Sequence, residues 1–417
     1  MPSQKLKFTL PYCALVGLLA TPAVAQDAVR VSGFGTVSVI DSGTEDFGFK
    51  YDLSKEGQYG ESSLKPGSAL GLQLNATIID NIDAVVQGIL QDRIENDLDK
   101  SITWAFLRYK FSPNLSFRVG RIASPLYMLS EYRDVGFAYL WTKPITDFYS
   151  AIPVSSINGA DVAYRYSLGD GILETRFFGG QTDISIETIN DPYEVTLGPM
   201  FGTKVTYEVD DWFFSGSATT TKVKEGDPSV SITSELSDIP DFLWPTLPTM
   251  LDDFGFVDTR ISYYSVGTAY ESGNWNVQAE LSYTDTDWPF FPDLAAGYTS
   301  VGRVFNRFTV FGFLSKAKSV GEYYETPLPP ATSLAIPEIA GAFNLIDQNL
   351  KARIVNQETL GIGLRYDVNA NVALKGQMER TWLLDDRIGG WSTTVRGLTA
   401  PVPDYIDTYS VSLSFVF

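Results

Sequence analysis

The chain has 417 residues, of which 31 are Lys or Arg and 50 are Asp or Glu, a formal net charge of −19 that argues against nucleic acid as a partner. It contains no histidine, which excludes Ser-His-Asp hydrolases, histidine-dependent proteases and phospholipases, and nearly all zinc or iron centres. Aromatic residues make up 13% of it, yet beyond the N-terminal leader no apolar run of about 18 residues is present to form a membrane-spanning helix.

Residues 1–25 read as a secretory signal. Lys5 and Lys7 open it, residues 8–20 are largely apolar, and Ala23-Val24-Ala25 is a small-x-small cleavage pattern. The apolar run is too short to cross a bilayer comfortably, so it reads as a removable signal and not an anchor. The only cysteine, Cys13, leaves with it, and residues 26–417 can then form no disulfide and accept no lipid on cysteine. Loss of two lysines takes the net charge from −19 to −21. The remaining stretch is too long for one ordinary globular core. A barrel escapes that limit because its apolar surface faces lipid and not a centre.

Period-two alternation predicts sixteen strands, near 29–39, 69–79, 83–91, 102–111, 115–121, 158–168, 172–180, 201–209, 212–221, 261–270, 275–283, 298–305, 309–318, 359–367, 372–380 and 406–417. In the second, Leu70, Leu72, Leu74, Ala76 and Ile78 oppose Gln73, Asn75 and Thr77. In the fourth, Ala105, Leu107, Tyr109 and Phe111 oppose Trp104, Arg108 and Lys110. The last sets Tyr409, Val411, Leu413, Phe415 and Phe417 against Thr408, Ser410, Ser412 and Ser414. The faces of the twelfth and thirteenth cannot be assigned from the pattern.

Connections alternate between tight turns, such as Asp80-Asn81, Ser112-Pro113-Asn114 and Asp210-Asp211, and loops of roughly nine to thirty-seven residues. Strands long enough for ~9–11 tilted residues across a bilayer, joined in this asymmetric way, predict a transmembrane antiparallel β-barrel of sixteen strands. The final strand must then pair with the first. The competing reading is a soluble solenoid or tandem sandwich whose apolar faces pack on one another. Aromatic residues at the ends of the apolar stripes favour the membrane.

Leu107-Arg108-Tyr109 through Val119-Gly120-Arg121, Gly363-Leu364-Arg365-Tyr366-Asp367 with Ala373-Leu374-Lys375, and the terminal strand carry a resemblance. In layout the mature chain resembles the sixteen-stranded porins of Gram-negative bacteria. The resemblance implies an integral protein of the outer membrane, among lipid and lipopolysaccharide, assembled as a homotrimer. It further implies passive diffusion of small hydrophilic solutes and ions, with no cofactor and no catalysis. It also implies that the third outer loop, residues 122–157, folds into the lumen and sets its carboxylates against arginines on the wall.

On that basis Glu131, Arg133, Asp134 and Asp147, with Lys143, belong to the constriction, among Tyr127, Tyr132, Phe137, Tyr139, Trp141, Phe148 and Tyr149. Parity puts Arg93, Arg108, Arg118, Arg165 and Arg176 on the pore wall; Arg121 joins them only from a bulge or the rim. Opposed rows of charge would orient dipolar solutes and water. Each arginine is as readily read as locally paired, and the loop aromatics as wall packing ahead of a slide for sugars. Because Pro-Glu-Phe-Gly-Gly-Asp of the enterobacterial pattern is missing, the carboxylate nearest the constriction stays open.

Residues 223–259 hold Lys224 against eight acids, a net charge of −7, and read as a solvated loop ahead of a divalent-cation site. After Pro337, Ile339, Phe343, Ile346 and Leu350 follow helical spacing and predict a short helix at the mouth. Ser62-Ser63-Leu64-Lys65 matches an enzyme motif by chance, without its companions. Two other functions remain on the same barrel: a substrate-specific channel with a binding site at the constriction, or an adhesin or receptor that presents its loops. A plugged active transporter is disfavoured, since such barrels have about 22 strands.

Overall fold

Alternating side chains commit each strand to two different solvents, and a closed ring of such strands satisfies both. The computed structural model describes residues 29–60, 62–94, 97–186, 193–226, 236–393 and 400–417; the expected signal lies outside these. The strands are β1 (Val29–Asp41), β2 (Ala69–Ile79), β3 (Ile82–Gln91), β4 (Ile102–Lys110), β5 (Leu115–Ala123), β6 (Ser156–Leu168), β7 (Gly171–Ile186) and β8 (Tyr193–Val209). They continue with β9 (Trp212–Glu225), β10 (Arg260–Ser272), β11 (Trp275–Thr286), β12 (Asp293–Phe305), β13 (Phe308–Val320), β14 (Asn356–Asn369), β15 (Val372–Leu383) and β16 (Tyr405–Val416). Each pairs antiparallel with its sequence neighbours, and β16 pairs with β1, Phe34 opposite Val416 and Asp41 opposite Tyr409. All sixteen predicted strands are present, and the sheet has no free edge.

Short turns close one end. Asp210 and Asn306 adopt φ of 50° and 58° there, a left-handed backbone that two-residue hairpins require and short polar residues tolerate. Leu70, Leu72, Leu74, Val411 and Leu413 are exposed on the outer wall, whereas Thr408, Ser410, Ser412 and Ser414 are buried inside. That distribution is inverted for water and correct for lipid.

The strands whose faces the pattern left open now have them. Tyr298 and Ser300 face in from β12, and Phe311, Phe313 and Ser315 from β13, while Val301, Val310 and Leu314 face out. Both faces of β13 are largely apolar, so its alternation carries no sign. Its inward rings rest on β14: a Cβ at Gly361 would lie 2.1 Å from Phe313, and one at Gly363 2.3 Å from Phe311. β7, β8 and β9 also run farther outward than alternation predicts, to Ile186, from Tyr193 and to Glu225. At ~3.3 Å per residue they overrun a ~30 Å hydrocarbon layer; beyond it the outward face leaves lipid, while Ile184, Val195, Leu197 and Val223 on the inward face are buried in the apolar core of the outer loops.

The long loops gather at the other end. Phe47–Gly48 pairs with Ser392–Thr393, and Phe47 and Phe49 pack with Leu383, Ile388, Trp391 and Ile406. Two short helices, α1 (Leu98–Ser101) and α2 (Thr146–Tyr149), lie in the second and third loops. Helix α3 (Leu247–Asp253) belongs to the loop read as merely solvated, which is in fact amphipathic. Trp244, Leu247, Met250, Phe254 and Phe256 are buried beneath it, whereas Asp238, Asp241, Asp252, Asp253 and Asp258 are exposed. Phe254 stacks on Phe290 with centroids 4.1 Å apart. Asp227 and Glu235 of that loop fall outside the described residues. Helix α4 (Pro337–Ala352) follows the predicted spacing, burying Ile339, Ile346 and Leu350.

Candidate functional site

The third loop leaves β5 and turns into the lumen because its own composition allows nothing else. Leu126, Tyr127, Met128, Leu129, Trp141, Ile145, Phe148 and Tyr149 are all buried, and each large apolar side chain removed from water contributes about 1.5–3 kcal/mol. They pack on inward residues of the wall, including Tyr298, Phe311 and Phe313, and the same apolar mass continues up to Trp244, Trp288 and Leu350 in the outer loops. One side of the lumen is therefore filled.

A chain inside a barrel must still find partners for its backbone, and the wall supplies them from nearly every direction. Leu126 O accepts from Ser265 Oγ at 2.8 Å, Tyr127 O from Lys204 Nζ at 2.7 Å, and Met128 N donates to Glu280 Oε2 at 2.8 Å. Across the lumen, Arg365 Nη1 donates to Phe137 O and Tyr139 O at 2.9 and 3.1 Å. Lys375 Nζ caps three carbonyls, those of Gly136, Tyr139 (2.6 Å) and Trp141 (2.8 Å). Thr142 N donates to Gln377 Oε1 at 3.1 Å, and Lys143 Nζ pairs with Glu379 at 2.7 and 2.5 Å. Gly136 lies so close to β1 that a Cβ would be 2.3 Å from Thr36 Oγ1. Sequence reasoning missed Glu280, Lys375, Gln377 and Glu379 as anchors. Their signal was available, since all four occupy the inward parity of strands otherwise apolar outside.

The predicted loop charges divide by role. Arg133 is buried and pairs with Asp52 of the first outer loop at 2.8 Å. Burial pushes the Asp52 carboxyl up, but Arg133 and then Lys55 outweigh it, and its pKa ends below the ordinary value. Asp147 accepts from Ser315 Oγ at 2.7 Å and from Gln357 Nε2, and burial lifts its pKa more than these bonds lower it. Glu131 meets Arg118 at 3.3 Å; burial pushes its carboxyl up, but Arg118, Arg176 and Lys204 together hold it at about 2. Asp134 makes no hydrogen bond or ion pair with any described residue.

Of the wall arginines, Arg118 is bidentate to Asp161 (Nε to Oδ1 at 3.1 Å, Nη2 to Oδ2 at 2.5 Å), which also takes Arg176 at 3.0 Å. Arg165 and Arg176 share Glu174, and Arg108 pairs with Asp83 at 2.8 Å. Arg93, past the end of β3, gives Nη1 to Ile89 O at 3.1 Å. Arg121 corrects the expectation for a pore-wall residue: it shares parity with the exposed Phe117 and Val119 and seals to Asp99 and Asn158 on the outward side of the rim, at 3.0 Å each. No bulge turns it inward. The arginines thus do not form a free row; neighbouring carboxylates neutralise most of them.

Asp134 lines two of the cavities beside the loop. The inner is narrow and is lined by Gln87, Thr103, Trp104, Glu131, Tyr132 and Arg133 among others. A register shift at Gln87/Gly88 lets Thr103 and Trp104 both reach it. Its wall is an amide ladder, Thr103 Oγ1 to Gln87 Oε1 at 2.9 Å and Gln87 Nε2 to Gln73 Oε1 at 2.9 Å. The outer cavity, also narrow, is lined by Tyr51, Lys55, Lys65, Asp92, Tyr139 and others. Among the described residues no group of three or more His, Cys, Asp or Glu could hold a metal.

No family model and no curated protein matches this sequence. Solved structures do. The outer-membrane channel DcaP of Acinetobacter baumannii is 14% identical with a TM-score of 0.52, covering 94% of this chain and 99% of that one. OmpF of Salmonella typhi, solved with daunomycin, is 14% identical with a TM-score of 0.51 over 93% and 97%. The anion-selective porin from Comamonas acidovorans is 12% identical with a TM-score of 0.51 over 93% and 99%. At such identities likeness speaks for architecture: this chain folds as a closed sixteen-stranded β-barrel of the outer-membrane porin type.

Proposed function

We propose that this barrel is a passive channel of the outer membrane that admits small hydrophilic solutes and ions, performs no catalysis and works as a homotrimer after residues 1–25 are removed on export. The reading rests on one observation: a loop anchored through the lumen packs one side with apolar residues, while cavities lined by charges, amides and hydroxyls lie beside Asp134 and the amide ladder. A lumen packed only for stability would not keep cavities so lined. Purified protein in planar bilayers should give discrete current steps that grow with salt concentration. Protein that inserts yet conducts nothing would favour instead a barrel that only presents its loops, to a ligand or another cell. Because the cavities flanking Asp134 are small, the substrate-specific channel is the second reading, and saturable block by a solute distinguishes it from an open pore.

A further inference from the structure

Among the described residues, the charged side chains buried in the outer loops belong to the third loop, as Arg133, Lys143 and Asp147 do, or to the first, residues 42–68, as Asp52 and Lys55 do. A charge leaves water only against a partner, and Asp52 finds its own on the third loop. Its carboxylate is divided. Oδ1 accepts from Ser54 N and Oγ at 2.8 and 2.5 Å and so shapes its own turn, while Oδ2 takes Arg133 Nη2 at 2.8 Å. Arg133 also gives Nη1 to Tyr127 Oη at 3.0 Å and to Ile152 O at 3.3 Å, so one guanidinium gathers both limbs of the third loop beneath the first. Beside this pair Leu53 N donates to Ser150 O at 3.3 Å, and Lys143 Nζ lies 4.9 Å from the centroid of the Phe49 ring. Lys55 Nζ donates to Asp92 O at 2.5 Å, which ties the same loop to the rim past β3.

The third loop has other holds on the lumen, since Arg365, Lys375 and Glu379 grip it from the opposite wall. The first loop has few. Its clasp to Arg133 draws residues 49–55 inward over the narrow outer cavity, where Tyr51 and Lys55 meet Asp134 and Tyr139 of the third loop and Thr36 and Gln91 of the wall. We propose that the first outer loop is a second constriction element and that Asp52 is the positioning residue that holds it there, so that this clasp sets the size of solute the channel passes. The inference rests on the channel reading. With one partner removed, the other charge cannot stay buried unpaired, and the loop lifts from the third to widen the gap.

Asp52→Asn isolates the clasp, because the amide oxygen can keep the bonds from Ser54 while its NH2 meets a donor, Arg133 Nη2. In planar bilayers, polyethylene glycols of graded mass should enter the D52N channel and reduce its current at larger masses than the wild type admits. Trypsin supplies a readout that needs no conduction: it can cut the first loop after Lys50 and Lys55 but not after Lys65, which precedes Pro66. Cutting there should accelerate at least about tenfold in D52N, since loss of one partner of a buried pair shifts the open population by more than about a decade, while Arg133 stays protected in the third loop. Lys55→Met, which cuts the tie to Asp92 O, should raise the size limit as well, so the test does not hang on one variant. A D52N channel with the wild-type size limit, or with unchanged cutting at Lys50 and Lys55, overturns the inference and leaves the channel reading intact. New cutting after Arg133 would show that the pair holds the third loop instead of the first, and overturns it too. A wild-type barrel that conducts nothing overturns the channel reading and the inference with it.

Discussion

Replacing Lys375 by methionine keeps the length of the side chain and removes the charge that gathers three carbonyls of the third loop. Tyr139 O would keep its bond from Arg365 at 3.1 Å, but the carbonyls of Gly136 and Trp141 would lose a charged donor inside the barrel. Each orphaned buried acceptor costs about 1–3 kcal/mol, so the docked loop tip should lose about 2–6 kcal/mol relative to a released one. The contact between the ammonium and the Tyr139 ring, 4.7 Å from its centroid, goes as well. None of the sheet's own hydrogen bonds is involved, so the barrel should still form. Single-channel recordings should then show a noisier current with excursions above the wild-type level as residues 136–141 leave β15, and Lys375→Arg should restore a quiet trace. A K375M channel with wild-type conductance and noise would refute the claim that this lysine holds the loop in place.

Other outcomes follow from the same geometry. Glu131 has a depressed pKa, so its favourable pairing is present above the ordinary carboxyl value of 4.5 and is lost as pH falls through about 2; conductance should be insensitive to this group from neutral pH to about 5, and a transition there that vanishes in Glu131→Gln would contradict the assignment. Asp147 is the opposite case, its ionised form being disfavoured by burial. Asp147→Asn should therefore leave thermal stability unchanged or raise it by up to about 1 kcal/mol, and a large loss on melting would show that the charge itself is needed. Gly136→Val, with its Cβ 2.3 Å from Thr36 Oγ1, should displace the loop tip from β1 without preventing the barrel from forming, read as altered conductance with unchanged circular dichroism. Leu413→Arg, on the outward face of β16, should lower folding stability in bilayers by about 2–4 kcal/mol if it lies near the midplane, measured by urea titration.

What could be read in advance tracks where each side chain meets a uniform medium. Leu70, Leu72 and Leu74 meet lipid and Thr408, Ser410 and Ser412 do not, so alternation located β2 and β16 to within a residue or so. It failed at the outer ends of β7 to β9, where the outward face has left lipid and Ile184, Val195, Leu197 and Val223 pack inward under the outer loops, and on β13, where Phe311 and Phe313 fill a lumen that is itself apolar at that height. The third loop could be named but not its fastenings, because Lys375, Arg365 and Glu280 act on backbone atoms brought to them only by tertiary folding. Arg118 and Asp161 are 43 residues apart in sequence, and pairing across β5 and β6 is what turned an expected free arginine into a neutralised one.

The pairing of β1 with β16 sets an order of events. Every other neighbour in the ring is joined by a local hairpin or loop, but this seam unites the ring's first strand with its sixteenth, and Phe47–Gly48 with Ser392–Thr393 stitches it a second time above the membrane. The cylinder cannot zip shut before β16 is in hand, so a chain lacking that strand would carry two raw margins, each ready to add a foreign strand.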